Sequence, residues 1–264
     1  MGENRHAICL HVLGPRMKKA EFSSAGMLGG YSPLDGTVEF YGRINAFLRP
    51  EFVVADVGAG RGAWYEEDRP GYGRSLRLLK GKVSRVIGLD VDTAVLSNPS
   101  TDENRLITGT KFPLPDASVD MVIADYVLEH LSEPEFFEGE VFRILRPGGL
   151  FCARTPHSLH YVSLVARLVR NPRHAGVLKL AQPDRKEIDV FATRYRCNSL
   201  RLINRIWGAQ RWTSYSYLYT AEPSYDFGSR LVYRLLALLH KLSPLPLVGN
   251  IFVFEVKRGA EKPL

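Results

Sequence analysis

The sequence predicts a three-layer α/β domain with a mostly parallel β-sheet. Short apolar runs recur at residues 52–57, 85–90, 119–124 and 150–154, and segments of helical character separate them. Strands that are apolar along their whole length are typical of parallel sheets with helices on both faces. A glycine-rich turn directly after the first run indicates a place where a ligand approaches the main chain.

The elements that follow support this architecture. Residues 135–145 carry apolar side chains at helical spacing, and Pro147 with Gly148 ends that helix. After Pro156 the pattern changes to less regular segments. They comprise predicted helices at 158–170, 199–207 and 229–242, a polar irregular stretch at 173–194, and predicted strands at 211–220 and 250–257.

This pattern divides the chain into three parts. Residues 1–50 form an N-terminal helical or irregular cap, and residues 51–157 form the ligand-binding core. Residues 158–264 carry helical insertions and the last two strands of the same sheet. A chain of 264 residues is long enough to bury a full core. The three cysteines are far apart and form no Cys-x-x-Cys pair, so we predict neither a disulfide framework nor a metal site.

Positive charge is unevenly placed along the chain. The net charge is +7, yet residues 141–211 alone hold 14 Lys or Arg against 3 Asp or Glu. This segment favours an anionic partner, either a phosphate-bearing substrate or an anionic membrane, or else it is a solvated basic face. Nucleic acid is not expected, because no recognised binding motif accompanies the charge. The sequence leaves the oligomeric state open.

The location of the protein is predicted from what its apolar segments lack. The N-terminus has no small-residue cleavage site, and no stretch reaches the roughly 20 apolar residues of a spanning helix. Arg234, His240 and Lys241 interrupt the most apolar segment. We therefore expect a cytoplasmic protein that is at most peripheral to the inner membrane surface.

The stretch VVADVGAGRG, residues 53–62, ends the first strand in a loop of little side-chain bulk. Gly58, Gly60 and Gly62 are spaced G-x-G-x-G and follow Asp56. The dinucleotide fingerprint has a different spacing, and no Gly-Lys-Ser/Thr follows, which excludes a phosphate loop. The glycines alone leave open whether the ligand contains phosphate.

A second carboxylate ends the next strand. Asp90 closes the run VIGLD, where a carboxylate can accept hydrogen bonds from both hydroxyls of a ribose. This placement predicts a nucleoside ligand. The alternative is that Asp90 only caps a helix beginning near Thr93.

A third element, FPLPDASVDMVI followed by ADYVLEHL, completes the order of parts, and RILRPGGLF precedes the next strand. Together these motifs, in register over residues 53–155, resemble class I S-adenosylmethionine-dependent methyltransferases of the quinone and small-molecule group. The resemblance implies a Rossmann-like fold with a seven-stranded sheet whose last strand is antiparallel. It also implies the cofactor S-adenosylmethionine. The cofactor-binding residues it implies are Asp56, Gly58, Ala59, Gly60, Gly62, Asp90, Val91, Thr110, Asp125 and Tyr126.

That cofactor has an ammonium and a carboxylate but no phosphate, so the loop needs close backbone approach. We expect Asp56 to order the loop by accepting main-chain donors, rather than to meet the ammonium through water. Two departures from the family stand out. No acid occurs at residues 108–110, so adenine is held by main chain or by a hydroxyl such as that of Thr110. Residues 66–73 look like an insertion that forms a flap or a partner surface.

Histidines at the ends of strands are candidate bases for methyl transfer to a hydroxyl. His157 follows the fourth predicted strand and is the preferred candidate, while His130 is either a second candidate or a residue bonded to nearby backbone. His160 and Tyr161 are expected to line the acceptor pocket. An anionic acceptor group has a possible clamp in residues 194–196, Arg-Tyr-Arg, which otherwise belong to the solvated basic face.

The predicted helix at 229–242 has a basic stripe beside a broad leucine face. This pattern fits either residence on an anionic membrane or ordinary packing of the leucines on the sheet, which we favour at this point.

The chain after residue 50 also resembles an uncharacterised bacterial subgroup associated with polysaccharide loci, in the stretches VSRVIGLDVD, RTPHSLHYVSLVARLV and RKEIDVFATRYRCNSLR. The functional prediction is methyl transfer to an oxygen of a sugar, a lipid-linked glycan or a related small molecule. The alternative is a non-catalytic scaffold or regulatory partner with the same fold.

Overall fold

The computed structural model describes residues 29–67, 71–161, 163–164, 193–220, 222–223 and 230–259. Eight strands form one sheet in these ranges. They are β1 Val53–Val57, β2 Arg85–Asp90, β3 Glu103–Leu106, β4 Val119–Asp125, β5 Leu145–Pro156, β6 Trp212–Ser214, β7 Tyr217–Thr220 and β8 Gly249–Lys257. The strand order is β3-β2-β1-β4-β5-β8-β6, and β7 also pairs with β8.

The helices lie before, between and after these strands. They are α1 Gly36–Phe47, α2 Ala63–Glu67, α3 Tyr72–Arg77, α4 Pro134–Ile144, α5 Leu200–Ile206, α6 Arg230–Leu242 and α7 Leu245–Val248. Two short 3₁₀ helices, Thr93–Ser97 and Leu128–His130, follow β2 and β4. None of the described helices is long and apolar enough to cross a bilayer.

The sheet has the predicted direction of strands. Each neighbouring pair from β3 through β5 is parallel, and β8 runs antiparallel to β5. The carboxyl ends of β1, β2, β4 and β5 therefore meet at one edge, which is where ligands bind in open α/β sheets. This arrangement confirms the predicted fold class and the antiparallel last strand.

Two buried clusters cover the two faces of the sheet. On one face, Ala55 and Val57 of β1 pack in a cluster that includes Val141 of α4 and Ile203 of α5. On the other face, Val54 lies in a cluster with residues of α1, including Phe40 and Ile44. Because successive side chains of β1 point to opposite faces, a single apolar strand serves both clusters.

The edge beyond β8 accounts for the eighth strand. The predicted strand 211–220 is broken at Tyr215 and Ser216, and its two parts both pair with β8. The Ser216 hydroxyl accepts a hydrogen bond from Phe254 N at 3.0 Å and donates one to Glu255 Oε1 at 2.8 Å. At the break, the Tyr215 amide still donates to the Phe254 carbonyl at 2.8 Å, and the Ser216 side chain supplies the acceptor for the Phe254 amide.

β3 was not predicted from the sequence. Its residues, Glu-Asn-Arg-Leu, are all half-buried and lack an apolar alternation. Most of the predicted helix 158–170, nearly all of the irregular stretch 173–194 and residues 1–28 of the predicted cap lie outside the described residues.

The insertion-like segment 66–73 lies between α2 and α3. Asn45 of α1 donates a hydrogen bond from Nδ2 to the carbonyl of Leu76 at 2.8 Å, which attaches α3 to α1. Lys82 Nζ in turn donates to Asn45 Oδ1 at 2.9 Å. The end of this segment is therefore part of the domain body, and its role as a flap or partner surface stays a prediction.

α6 differs from the expectation for its leucines. Five of them are between 53% and 75% exposed, namely Leu231, Leu235, Leu238, Leu239 and Leu242. The buried side of the helix carries Tyr233 and His240 instead. The alternative in which packing on the sheet covers the leucine face is therefore wrong for these five residues.

Candidate functional site

The turn from β1 to α2 depends on three glycines in the left-handed region of backbone space. Gly58, Gly60 and Gly62 have φ angles of 76°, 53° and 70°. A Cβ at Gly58 would collide with the Val127 side chain, and one at Gly62 would collide with Asn98. The loop therefore needs glycine both for its conformation and for its close contacts.

The glycine loop and Asp90 are joined directly. Gly60 N donates to Asp90 Oδ2 at 2.8 Å, and Asp92 N donates to Asp90 Oδ1 at 2.9 Å. Each carboxylate oxygen has a second lone pair, so the group retains acceptor capacity for ribose hydroxyls. The alternative role of Asp90 as a helix cap is wrong. The 3₁₀ helix that starts at Thr93 is capped by Asp92, whose side chain accepts from Ala94 N at 2.9 Å.

Asn98 holds the loop from its other side. Its Nδ2 donates to the carbonyls of Ala59 and Gly60 at 3.0 and 3.1 Å, and its Oδ1 accepts from Ser100 N at 2.9 Å. The side chain is buried. Sequence reasoning did not identify this residue. The dipeptide Asn-Pro after a short helix was the available signal, but it indicates a turn rather than a contact with a distant loop.

Asp56 was expected to order the loop, but in the described part of the chain the amides of residues 58–60 bond to Leu89 and Asp90, and the carbonyls of Ala59 and Gly60 bond to Asn98. Asp56 lines a small cavity instead. The other lining residues are Tyr41, Trp64, Arg77, Leu79, Val86, Ser100 and Ile123. Burial raises the pKa of Asp56 to about 7, although Arg77 opposes this rise, and the nearby carboxylates of Asp125 and Asp90 add to it. A carboxylate with these properties has the chemistry to receive a cationic group.

Asp125, at the end of β4, lies in a buried ion-pair network. It is the register partner of Arg154 on the neighbouring parallel strand, and both of its carboxylate oxygens accept hydrogen bonds from that guanidinium. The Tyr41 hydroxyl donates to Oδ2 at 3.0 Å, and Arg77 Nη2 lies 3.4 Å from the same oxygen. Burial alone raises the pKa of Asp125, but Arg154 and Arg77 outweigh it and hold the pKa below its usual value.

Tyr126 has an unusual backbone for a residue with a side chain. Its φ is 58°, in the left-handed region, which costs about 1–3 kcal/mol. Its ring lies 4.8 Å from the guanidinium of Arg154, and the side chain remains 40% exposed. Strain of this kind is concentrated at functional sites. The geometry places an exposed aromatic ring at the same edge as Asp56 and Asp90.

The adenine side of the expected site is exposed. Val91, directly after Asp90, is 70% exposed, which fits a side chain that a planar ring would cover. Thr108, Gly109 and Thr110 lie exposed in the loop after β3. The role of Thr110 toward adenine stays a prediction.

His157, His160 and His240 lie near the carboxyl end of β5. Nδ1 of His157 accepts a hydrogen bond from Leu159 N at 3.1 Å, so the neutral ring carries its proton on Nε2. Burial, together with His240 and His157, lowers the pKa of His160 to about 4. The His160 ring stacks on Tyr161 at 4.6 Å, and Tyr161 contacts the His240 ring at 5.7 Å. Among the described residues, no group of three candidate ligands is arranged to hold a metal ion.

His130 is half-buried at the end of the 3₁₀ helix that follows β4. Its neighbour Glu129 connects two parts of the edge. Glu129 Oε2 accepts from the Thr155 hydroxyl at 2.8 Å, and the Glu129 carbonyl accepts from Arg194 N at 2.7 Å.

The expected anion clamp at residues 194–196 is therefore anchored by its main chain. The Tyr195 amide also donates to the Glu129 carbonyl, at 3.1 Å, and Arg196 Nη1 donates to the carbonyl of Ser132 at 2.8 Å. Both arginines are exposed. Their binding of an anion stays a prediction.

Part of the chain matches a known protein family. Residues 70–153 match the family described as "Methyltransferase domain". The matched span includes Asp90, Thr110, Asp125, Tyr126 and His130. It leaves out the glycine loop and His157, so the geometry above is the evidence for those residues.

Curated relatives agree with this match. A probable S-adenosylmethionine-dependent methyltransferase of Mycolicibacterium smegmatis is 37% identical over 143 residues, which are 52% of this chain and 54% of the relative. One of Mycobacterium tuberculosis is 33% identical over 119 residues, 43% of this chain and 40% of the relative. The chain thus spans about half the length of the curated relatives it matches.

Solved structures agree in fold. A putative methyltransferase of Haloferax volcanii, solved in complex with the activator Trm112, has a TM-score of 0.52 at 16% identity, covering 93% of this chain and 96% of that one. A SAM-dependent methyltransferase of Methanosarcina mazei has a TM-score of 0.50 at 14% identity, covering 83% and 98%. The predicted resemblance to class I methyltransferases is confirmed, as is S-adenosylmethionine as the cofactor of this family.

Proposed function

We propose that this chain, whose residues 70–153 match the methyltransferase family and whose sheet has the class I methyltransferase fold, transfers a methyl group to an oxygen of its acceptor. The hydrogen bond between Gly60 N and the Asp90 carboxylate carries the proposal. It unites the glycine loop and the expected ribose carboxylate at one edge of the sheet, beside the cavity lined by Asp56.

The described residues fit the cofactor. The glycine loop offers bare backbone to the methionine part at Gly60, where no atom of a described residue beyond its two chain neighbours lies within 4 Å of the position that a Cβ would take. Asp90 is proposed to accept the ribose hydroxyls and Val91 to lie against adenine. Asp56 is proposed to receive the ammonium, because it lines the small cavity and two further acids lie near it. When bound, the cofactor supplies the methyl group from its sulfonium.

The protein contributes alignment of the acceptor and exclusion of water. Tyr126, held over Arg154, is proposed to form one wall of the space between cofactor and acceptor. We propose that His130, which lies half-buried at the end of the 3₁₀ helix after β4, takes the acceptor proton. In the conformation observed, Nδ1 of His157 accepts from Leu159 N, so we propose that this ring orients the acceptor rather than takes its proton.

The proposed acceptor is a sugar, a lipid-linked glycan or a related small molecule, within polysaccharide biosynthesis in the cytoplasm. The basic segment 141–211 supports an anionic acceptor, because it holds 14 basic residues against 3 acidic ones. We propose that Arg194 and Arg196 meet its charge. Both are exposed; the main chain of Arg194 bonds to Glu129, and Arg196 Nη1 bonds to the carbonyl of Ser132.

Titration calorimetry tests the cofactor first. We expect S-adenosylmethionine and S-adenosylhomocysteine to bind, and absence of heat at millimolar ligand would reject the proposal. Incubation with labelled methyl donor and fractionated extract of the source cell then identifies the acceptor by the fraction that gains label. Cofactor binding without label in any fraction favours the non-catalytic scaffold.

A further inference from the structure

The exposed leucines of α6 form a continuous apolar face. Their spacing along the helix, at positions i, i+4, i+7, i+8 and i+11, places them on one side. They are Leu231, Leu235, Leu238, Leu239 and Leu242. Soluble proteins seldom expose contiguous apolar patches of this kind without an interaction partner.

The opposite side of α6 faces the protein. Tyr233 and His240 are buried, and the His240 ring lies 5.7 Å from the Tyr161 ring. The leucine face therefore points away from the body of the domain while the helix stays attached through its other side.

The charge beside the leucine face is of one sign. α6 contains Arg230, Arg234 and Lys241 and no acidic residue. Helical spacing places these three positions along one flank of the leucine face, and Arg234 is exposed. An apolar face with a basic flank matches the boundary between the acyl chains and the headgroups of an anionic bilayer.

The length of α6 determines how it meets a bilayer. Its 13 residues extend over about 20 Å, whereas the apolar core of a bilayer is about 30 Å thick. The helix is too short to span the membrane and fits only in the plane of its surface.

We propose that α6 docks the protein on the surface of an anionic phospholipid bilayer. A second copy of the chain is a poorer partner. In an antiparallel two-fold pair of such helices, the basic flanks would lie side by side with no acid on either helix to compensate them. Docking would bring the His157 end of the sheet close to the bilayer through the Tyr161–His240 contact. Among the proposed acceptors, this favours the lipid-linked glycan.

Co-sedimentation with vesicles tests the proposal. The probes are vesicles of phosphatidylcholine alone and of phosphatidylcholine with phosphatidylglycerol. We expect the protein to bind the anionic vesicles, and a Leu235→Glu/Leu239→Glu variant to partition at least about tenfold more weakly. The matched control is Phe47→Glu/Phe136→Glu, which adds the same charge at exposed apolar residues of α1 and α4 and is expected to bind like the wild type.

Two other results would overturn the proposal. The first is that the wild type does not bind the anionic vesicles, or that the α6 variant binds them as well as the wild type does. The second is that the α6 substitutions lower the melting temperature or convert a dimer to monomers. Either effect would mean that the leucine face packs against this chain or against a second copy of it. Cofactor affinity, measured by calorimetry on the same variant, is expected to be unchanged, so failure of docking leaves the proposed transfer reaction untouched.

Discussion

Gly60 and Asp90 are 30 residues apart in the chain, and the amide of the first lies 2.8 Å from a carboxylate oxygen of the second. The bond joins the ends of β1 and β2, which are adjacent parallel strands. It holds the glycine loop in position against the carboxyl end of β2. The carboxylate that is proposed to bind ribose therefore also shapes the loop that is proposed to bind methionine.

Replacement of Asp90 by Ala should weaken cofactor binding by about 10- to 100-fold, because hydrogen bonds to a charged acceptor are lost. Calorimetry with S-adenosylhomocysteine measures the change. Asp92→Ala is the control, since Asp92 caps the adjacent helix and is not assigned to the cofactor. Equal affinities of wild type and Asp90→Ala would refute the ribose assignment.

Cofactor affinity should depend on pH through Asp56. In the unliganded protein the pKa of Asp56 is about 7, so its carboxyl holds a proton below that pH. The ammonium of the cofactor favours the ionised form, so binding releases a proton. Affinity should therefore rise with pH, by at most about tenfold per unit, and level off above pH 7. Calorimetry between pH 5.5 and 8 measures this slope, and Asp56→Asn should abolish it.

The same carboxyl should reduce stability at neutral pH. Because the folded pKa of Asp56 is raised from 3.8 to about 7, the stability it contributes is lost as pH rises through that window. Asp56→Asn should therefore be more stable than the wild type by about 1–3 kcal/mol at pH 8. Urea unfolding at pH 4 and pH 8 measures the difference. A difference that shrinks as pH rises would contradict the assignment.

Asn98→Ala should loosen the glycine loop. The substitution leaves the carbonyls of Ala59 and Gly60 without their side-chain donor, at a cost of about 1–3 kcal/mol in unfolding free energy. Faster amide exchange at residues 58–62 and a weaker affinity for the cofactor should accompany it. Ser97→Ala, which removes a hydroxyl that donates to the Ala94 carbonyl, should leave the unfolding free energy, the amide exchange and the cofactor affinity unchanged.

The core of this site was predictable because it follows strand ends. The glycine loop follows one apolar run and Asp90 ends another. Because the carboxyl ends of parallel strands meet at one edge of the sheet, the two features were expected to lie together. Asn98, Tyr41 and Arg77 were not predictable, because they reach the site from helices and turns whose orientation depends on tertiary packing. β3 was missed for a related reason, since its pairing with β2 rather than its own polar sequence makes it a strand.

Arg154 did leave a signal in the sequence. A charged residue inside the apolar run LFCARTP needs a partner in a buried sheet, and Asp125 ends the neighbouring strand at the same register. The leucines of α6, in contrast, left no signal in the sequence that predicts whether they are buried or exposed. Their spacing is the same for a buried face and a membrane-docking face, so the pattern alone could not separate the two.

Arg154→Met should destabilise the fold by about 3–5 kcal/mol, because it leaves the buried charge of Asp125 without its main partner. In the wild type the pKa of Asp125 is held down by Arg154 and Arg77, so this pair stabilises the fold above the unfolded pKa and loses its effect as pH falls. The difference between variant and wild type should therefore shrink on acidification. Denaturant unfolding at pH 4 and pH 7 measures it, and an Arg154→Met/Asp125→Leu variant should recover part of the loss.

Once an acceptor is known, substitution of His130 and of His157 should affect kcat and KM differently. His130→Gln should lower kcat by about 100-fold and remove the acidic limb of its pH profile, since the glutamine amide does not accept a proton. His157→Gln keeps a donor and should change kcat by less than about tenfold, with its main effect on the KM of the acceptor. A lost acidic limb in His157→Gln, with a normal profile in His130→Gln, would exchange the two roles. The contact between His157 Nδ1 and Leu159 N would then have to break when the acceptor binds.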